Sequence, residues 1–538
     1  MNDAVSAAAA LLRVRGIGPR VRNSVARVRQ VGPAPPAGRP AMPDDSPSGP
    51  DPRRVDRRDP RRVDRQGWAG VAALTGLVAL TWLPLLGMPF GDDHLGRIIG
   101  RYALHLRNLQ EQGILGSHFG ADWLPYASAP YAHHPPLFNL LTALTGLLPG
   151  DGEYQVWLPA YLLALLIIPA GAALLRGLGL RWSATLLAVG LMVATPFYWV
   201  YSPLMFDLGP ILALSALVVR LRARPDPARR LVVAACVAAL LTTLVSWPGV
   251  GFAAVLGLWL LAARRVDRVT VLVGASMLAG VVISLAFVVG VTGMTVLGGQ
   301  AELRSTGGGY TARQFLRRQW QYAYGLLPVW YIGALPIGAV VGLLDRRTRV
   351  YLAMAVAFTA TWILGLSNGA FVHSYWSYPV LVVGLVGMGV LLDRFVGAGR
   401  WLARRRVRVT VAALVGTALG AYLGVLVIGP PRDRLVDEPA RAGRLVAGHP
   451  PPEGQRYAWV AGAGVTSPRW LAYYWRLKPR LLTATTLRTE PTRPEDLVLI
   501  DLRKRPGWLP ESADTHAVAR DGPYALFPVA VLSSAVGS

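Results

Sequence analysis

The sequence predicts an all-α, multi-pass membrane protein that ends in a small α/β domain. Three observations carry that expectation. Of 538 residues, 53% are hydrophobic and 16% charged, against about 25% charged in ordinary soluble chains, and the apolar excess comes in long runs. The net charge of +25 is not the footprint of a nucleic-acid-binding surface, because the arginines sit in short clusters between the apolar runs, as a cytoplasmic positive bias predicts. Residues 430–538 are more polar. They show strand-like runs at Tyr457–Val460, Leu497–Asp501 and Tyr524–Val531, Pro-rich turns and a helix-like stretch at Ser467–Leu477, the pattern of a small extracytoplasmic α/β domain.

Residues 1–66 are rich in Pro, Arg, Asp and Gly and cannot bury a core, so a disordered, basic cytoplasmic tail is expected. Within it, Asp51–Arg57 and Asp59–Arg65 both read Asp-Pro-Arg-Arg-Val-Asp-Arg, just ahead of the first span, where basic residues meet anionic lipid. A membrane domain over 67–429 follows. Its spans are placed at 68–90, 155–175, 183–201, 203–221, 230–247, 249–263, 269–291, 326–344, 350–367, 377–393 and 407–428, eleven in all. The apolar run Pro136–Leu148 has about 13 residues where spanning needs roughly 20. Charge decides its placement. If it does not cross, the clusters Arg176–Arg181, Arg220–Arg230, Arg264–Arg268, Asp345–Arg349 and Asp393–Arg408 all fall on the cytoplasmic side with the N-terminus; if it crosses, all of them move outside. A juxtamembrane or re-entrant helix is therefore expected, opened by Pro135-Pro136, since proline is well tolerated in a first helical turn. The loops 91–154 and 292–325, the turn 367–376 and the C-terminal domain then lie outside. The Arg, Ala, Gly and Val bias points to a high-GC bacterial source, and so to a bacterial plasma membrane. The single cysteine, Cys236, falls within a span, so no internal disulfide is expected.

This topology puts all eight histidines outside, five of them (His94, His105, His118, His133 and His134) in the loop 91–154. Asp92 and Asp93 directly follow the first span, where charge is costly unless it reaches water or serves a function. Neighbouring residues do not share a helix face, so one of the pair can face a cleft while the other caps or orients. Asp92 stands where a helix beginning at Asp93 would have its N-cap. A cap, and a general base that takes a proton from an acceptor hydroxyl, are both open on spacing alone. Arg97 and Arg101 follow Asp93 at four-residue steps, a stripe that suits ion pairing or contact with an anionic substrate. His133 and His134 could ligate a divalent metal, but no His-x-x-x-His spacing is present, so hydrogen bonding to substrate or to an aspartate is preferred and no metal site is assigned. In the second outer loop, Tyr310, Arg313 and Arg317 follow Gly307-Gly308-Gly309. These arginines stand outside against the topological bias and offer forked donors for phosphate, or contacts to lipid headgroups. Asp207 and the group His373, Tyr375, Trp376 and Tyr378 mark two further membrane edges. An aromatic belt accounts for the rings but not for Asp207 or His373.

The acidic pair after the first span, the long outer loop and the string His134-Pro135-Pro136-Leu137 resemble the GT-C glycosyltransferases. Within that class they look most like the protein O-mannosyltransferases and the aminoarabinose (lipid A) transferases, families 39 and 83. The resemblance is strongest over about 68–225, with a weaker echo at His373–Pro379 and no counterpart for the tail. It implies a GT-C membrane domain, a polyprenyl-phosphate-linked sugar donor, transfer on the outer face and inversion at the anomeric carbon. Asp92 takes the place of the catalytic aspartate and Asp93 that of a second acid that is often Glu. The expected catalytic set is therefore Asp92, Asp93 and His134. The expected donor-phosphate set is Arg101, Tyr310, Arg313 and Arg317, and the substrate-binding set His133, Pro136, Asp207, His373 and Tyr375. One departure stands out. Many relatives carry an Arg before a Leu-Pro at the start of the next span, where this chain has Trp157. The acceptor, whether glycan, lipid or protein, is not specified by the resemblance; no cofactor is assigned, and a divalent metal stays open. Two other classes compete. A transporter or flippase of a lipid-linked sugar would carry charges near mid-membrane and matching halves, and neither is seen. A catalytically silent envelope scaffold is favoured by Trp157 and disfavoured by the intact acid pair.

Overall fold

The structure, a computed structural model, describes residues 60–537 apart from 151, 263–265, 306–307, 399–419, 423, 427–428, 430–432 and 463–467. The expected tail over 1–59 and most of the expected last span lie outside the described residues. What is described is mostly helical, with a five-stranded sheet at the C-terminus.

The first helix is Pro60–Trp82, so residues 60–66, expected in the tail, are already helical. Proline at a first helical position costs nothing in hydrogen bonding. By length and composition, Arg62–Leu85, Gly152–Gly177, Arg268–Thr292 and Ser374–Val396 are apt to cross a membrane. That makes four crossings, or six if two bent pairs each count as one, so eleven is not matched among the described residues. Part of the difference arises at breaks, part from apolar helices that are short, Trp247–Ala262 and Arg349–Gly365, and the last expected span lies mostly outside the described residues. Pro196 begins a new helix 63° off the axis of Trp182–Val193, and Ser246 is extended (φ −167°, ψ 163°) between Arg229–Val245 and Trp247–Ala262. Pro328 sits at the 115° bend between Ala312–Leu326 and Val329–Leu344. A proline and the residue before it both resist continuing a helix. The run at 136–148 forms the helix Leu137–Thr145 of 9 residues, with Pro136 at its N-cap. At about 14 Å it falls far short of the roughly 30 Å hydrocarbon core, as the charge argument requires.

The C-terminal sheet has the order β2-β1-β3-β5-β4. Strands β1 (Tyr457–Ala461), β2 (Lys478–Leu482) and β3 (Leu497–Asp501) run parallel; β5 (Tyr524–Pro528) pairs antiparallel with β3 and with β4 (Ala519–Asp521). Residues 529–531, expected to extend β5, instead open the helix Val529–Gly537. Period-two alternation gives the sheet two different faces. Trp459, Ala461, Val498, Ile500, Ala525 and Phe527 bury into a core of their own. The alternate residues Ala458, Val460, Leu497, Leu499, Tyr524 and Leu526 join the large core shared with the apolar helices. The domain is thus packed into the rest of the chain. Its helices hold the segment that leads to the acid pair. Phe90 N–H donates to Tyr474 Oη at 2.9 Å, Asp92 N–H donates to the Pro439 carbonyl at 3.3 Å, and any Cβ at Gly91 would collide with that same carbonyl.

Candidate active site

A cavity of about 520 Å³ lies between the break at Ser246 and the interruption at 204–207. Its wall is made by the helix His94–Gly116, the segment 131–134, the interrupted helices around 204–207 and 245–248, the helix Met294–Ser305, and the turn 373–378. One residue of the C-terminal domain, Arg469, completes it. Helix breaks free backbone and polar side chains that an unbroken apolar helix would not present, which is why irregular structure at membrane depth collects around a cavity.

The acid pair behaves differently from expectation. The helix starts at His94, and its N-cap is Asp93, not Asp92: Asp93 is extended (φ −105°, ψ −179°) and its Oδ1 accepts from Gly96 N–H at 2.6 Å. Asp92 Oδ1 accepts from Arg97 Nη2 at 2.9 Å and Nε at 3.2 Å, and the Asp92 side chain is 3% exposed. Neither carboxylate lines the cavity, whereas the Arg97 side chain does. Asp92 therefore sits one guanidinium behind the wall.

The carboxylate on the wall is Asp207. It holds the N-cap position of the helix Leu208–Arg222 yet makes no capping hydrogen bond. Its Oδ2 instead accepts from Ser246 Oγ at 2.7 Å and from the Tyr378 hydroxyl. Besides Arg97, three arginines face the same space. Arg101 is 4% exposed, lies 4.4 Å from the Tyr131 ring centre and 4.7 Å from that of Tyr102, and its Nε has no partner. Arg304 Nη1 is 2.8 Å from His373 Nε2 and lies 5.4 Å from the Trp376 ring centre. Arg469 lies over Trp123 and Tyr126 at 5.4 and 5.6 Å, and its buried Nε is likewise unpartnered. None of the three pairs with a carboxylate among the described residues. His94, His133, His134 and His373 complete the polar lining, and the rings of Trp247, Trp362, Tyr375 and Trp376 supply flat apolar faces.

Burial sets the protonation of the groups around the cavity. It raises Asp92 to about 6 against the lowering effect of Arg97, and Asp93 to about 7 against the Gly96 N–H. Burial, reinforced by nearby arginines, lowers His94 and His133 to about 4, and burial together with His94 and Arg304 takes His373 to about 3. The histidines are thus neutral hydrogen-bonding groups at neutral pH, and the standing positive charge belongs to the arginines. The two sets oppose each other in pH-dependent stability. Acids with raised pKa lose stability as pH rises through their folded values. Histidines with lowered pKa contribute stability above about 6.5 that is lost as pH falls toward 4. Taken together the three histidines shift further than the two acids, so the thermal midpoint is expected to fall on acidification from about pH 7 to about pH 5. Asp93→Asn removes an opposing acid and should make that fall steeper; a midpoint that rises on acidification would contradict these environments.

Of the residues anticipated from sequence, Arg101, His133, His134, Asp207, His373 and Tyr375 meet at the cavity. Arg313 and Arg317 do not. They lie exposed on the helix Ala312–Leu326, beside Leu316, Trp320 and Tyr324, which are 68%, 60% and 66% exposed. Tyr310 stacks on Phe371 at 4.1 Å and donates to Ser367 Oγ at 3.0 Å, pinning its loop to the 367–372 helix. Pro136 is buried at a helix start. Trp157 is fully buried, donates from Nε1 to the Met88 carbonyl at 2.8 Å and stacks on Tyr161, so position 157 supplies packing and no charge to the cavity. Residues outside the expected site sets include Arg304, Arg469, Trp247, Trp362 and Tyr131. The break Ser246-Trp247-Pro248 inside an apolar stretch was a readable signal; nothing local marks Arg469. No cluster of three or more His, Cys, Asp or Glu side chains that could hold a metal occurs among the described residues.

No family model matches the sequence, and no curated protein does so either. Among solved structures, the chain is similar to the aminoarabinose transferase ArnT from Cupriavidus metallidurans. The apo form matches with a TM-score of 0.52 at 17% identity over 87% of this chain and 99% of that one. The form bound to undecaprenyl phosphate matches with 0.52 at 18% identity over 86% and 98%. The fold is therefore the GT-C fold, as the motifs in 91–148 led us to expect.

Proposed function

We propose that the chain is a membrane glycosyltransferase that moves a sugar from a polyprenyl-phosphate-linked donor to an acceptor hydroxyl or amine on the outer face of a bacterial plasma membrane, with inversion. The observation that carries this reading is the cavity itself: three guanidiniums without a carboxylate partner, opposite a single wall carboxylate, among neutral histidines and aromatic faces. Arginine forks suit phosphate oxygens. Hydrogen-bonding histidines and flat rings suit a sugar, which offers hydroxyls at its edge and C–H groups on its face. Likeness in fold to a protein solved with undecaprenyl phosphate supports the donor class. The distribution of basic clusters supports the outward-facing site.

In the proposed reaction the acceptor O–H or N–H loses its proton to Asp207 as the acceptor atom attacks the anomeric carbon. The bond from that carbon to the phosphate oxygen breaks, and its electron pair leaves with the polyprenyl phosphate. Arg101 and Arg304 neutralise the charge that develops on the leaving phosphate, in a site where such stabilisation is stronger than in water. Asp92 acts through Arg97, whose guanidinium it holds against the wall, in place of the direct base role expected of it from sequence. Arg313 and Arg317, expected at the donor phosphate, are assigned instead to the outer membrane surface, since arginine interleaved with Trp and Tyr on a free helix face suits headgroups.

The test uses the full chain in phospholipid vesicles, a panel of polyprenyl-phosphate-linked sugars, and an envelope extract as acceptor source. Free polyprenyl phosphate should appear in step with glycosylated acceptor. Movement of the lipid-linked sugar between leaflets without release of polyprenyl phosphate would replace this reading by the flippase one.

A further inference from the structure

The C-terminal domain contributes to the cavity through one side chain, and its placement is built rather than incidental. Arg469 opens the helix Arg469–Trp475, which packs along the helix His94–Gly116. The approach is close because residue 100 is glycine: a Cβ there would stand 2.9 Å from Trp470 Cβ and 3.1 Å from its Cα. Glycine inside a helix costs about 1 kcal/mol relative to alanine, so the contact it permits is the compensating feature. Trp470 is fully buried in that contact. Further along, Arg107 Nη1 donates to the Tyr473 carbonyl at 2.8 Å. The same pair of helices that carries Arg101 and Arg469 is therefore clamped at several points, and the two guanidiniums face one cavity.

Their surroundings lack the usual compensation. Each has a buried Nε with no partner, each rests on aromatic rings, and neither meets a carboxylate among the described residues. Burial and the neighbouring Arg101 both press on the charge of Arg469. Two like charges held together in a partly dry site are costly unless an anion joins them.

We propose that Arg469 is a substrate-binding residue: with Arg101 it grips the phosphate of a polyprenyl-phosphate substrate, so the C-terminal domain completes the site and its docking is coupled to substrate binding. This rests on the transferase reading above and adds to it a binding group from the part of the chain for which sequence offered no role.

The experiment measures binding of undecaprenyl phosphate to the full-length protein in detergent or nanodiscs, together with hydrogen–deuterium exchange of the segment 469–475. In the wild type, the lipid should slow exchange in that helix. Arg469→Gln should weaken binding about 10- to 100-fold, the range of a charge-assisted contact to phosphate, and abolish the lipid-dependent protection. Arg469→Lys should recover part of the affinity, since it keeps the charge and loses the fork. A merely structural role for the guanidinium on Trp123 and Tyr126 would change exchange in the free protein and leave the lipid response intact. Equal affinity in wild type and Arg469→Gln, with the thermal midpoint unchanged, overturns the proposal. If Gln also lowers the midpoint, the Lys variant decides: unchanged affinity and protection in both variants relative to wild type again overturns it. Lipid binding that depends on Arg469 in a protein that releases no polyprenyl phosphate would keep this inference and remove the transferase reading. No binding of the lipid by the wild type would remove both.

Discussion

Replacing Asp207 by asparagine is expected to lower sugar transfer by about two to four orders of magnitude, the contribution of a positioned general base, while polyprenyl phosphate binding changes little. The substitution keeps shape and keeps an oxygen that can accept from Ser246 Oγ or the Tyr378 hydroxyl, so the broken helices that meet there should stay in place. What it removes is the capacity to take a proton. The position supports the expectation. An aspartate at a helix N-cap normally caps the N–H groups two or three residues on, and Asp207 makes no such capping bond. Tertiary partners from two other segments hold it on the cavity wall instead. Asp92→Asn provides the contrast. Asp92 contacts Arg97 and not the cavity, so its loss should cost roughly tenfold, as expected of a change that acts by disordering a supporting side chain. Transfer rates of both variants, measured with the same donor, decide between them. Full activity in Asp207→Asn with total loss in Asp92→Asn would return the base to Asp92.

The same pair shows what the sequence could and could not convey. Its proximity to a span end, and the cost of charge there, identified Gly91–Leu148 as the organising loop, and the cavity does lie against it. Helix phase was harder. A one-residue error in the helix start exchanges the roles of Asp92 and Asp93, because adjacent residues point to different sides. The topological argument that keeps Pro136–Leu148 from crossing sums charge bias over the whole chain and does not depend on any one boundary; the helix Leu137–Thr145, 9 residues long, is itself too short to span. Crossing number was not legible for the opposite reason. Pro196 splits an apolar run that reads as one span over 183–201, and the apolar helices Trp247–Ala262 and Arg349–Gly365 are shorter than a crossing needs. Strand β2, Lys478–Leu482, was missed because an edge strand tolerates Pro479 and the charges of Lys478 and Arg480, which erase the apolar alternation. Arg469 was invisible for a related reason. Its role depends on a contact with Gly100 some 370 positions earlier, and no local pattern encodes a pairing at that separation.

Arg101→Met should separate stability from activity. The side chain is buried, has no carboxylate partner among the described residues and carries an unpartnered Nε. Folding must therefore bear its desolvation with only the rings of Tyr102 and Tyr131 in return, and a cation over two rings recovers only about 1–4 kcal/mol. Exchanging such a group for an apolar side chain of similar length is often neutral or stabilising by about 1–4 kcal/mol, so the thermal midpoint of Arg101→Met should hold or rise. Transfer should fall by about two to three orders of magnitude, the usual cost of removing one electrostatic contact to the charge that develops on a leaving group. Arg101→Lys should lie between the two in activity, because an ammonium keeps the charge and gives up the two-pronged geometry. A midpoint that falls by many degrees in Arg101→Met would mean that the guanidinium supports the fold. Unchanged transfer would mean that the phosphate is held elsewhere, with Arg304 as the next group to remove. A stable, inactive protein is the outcome that follows from a charge kept in place for its substrate.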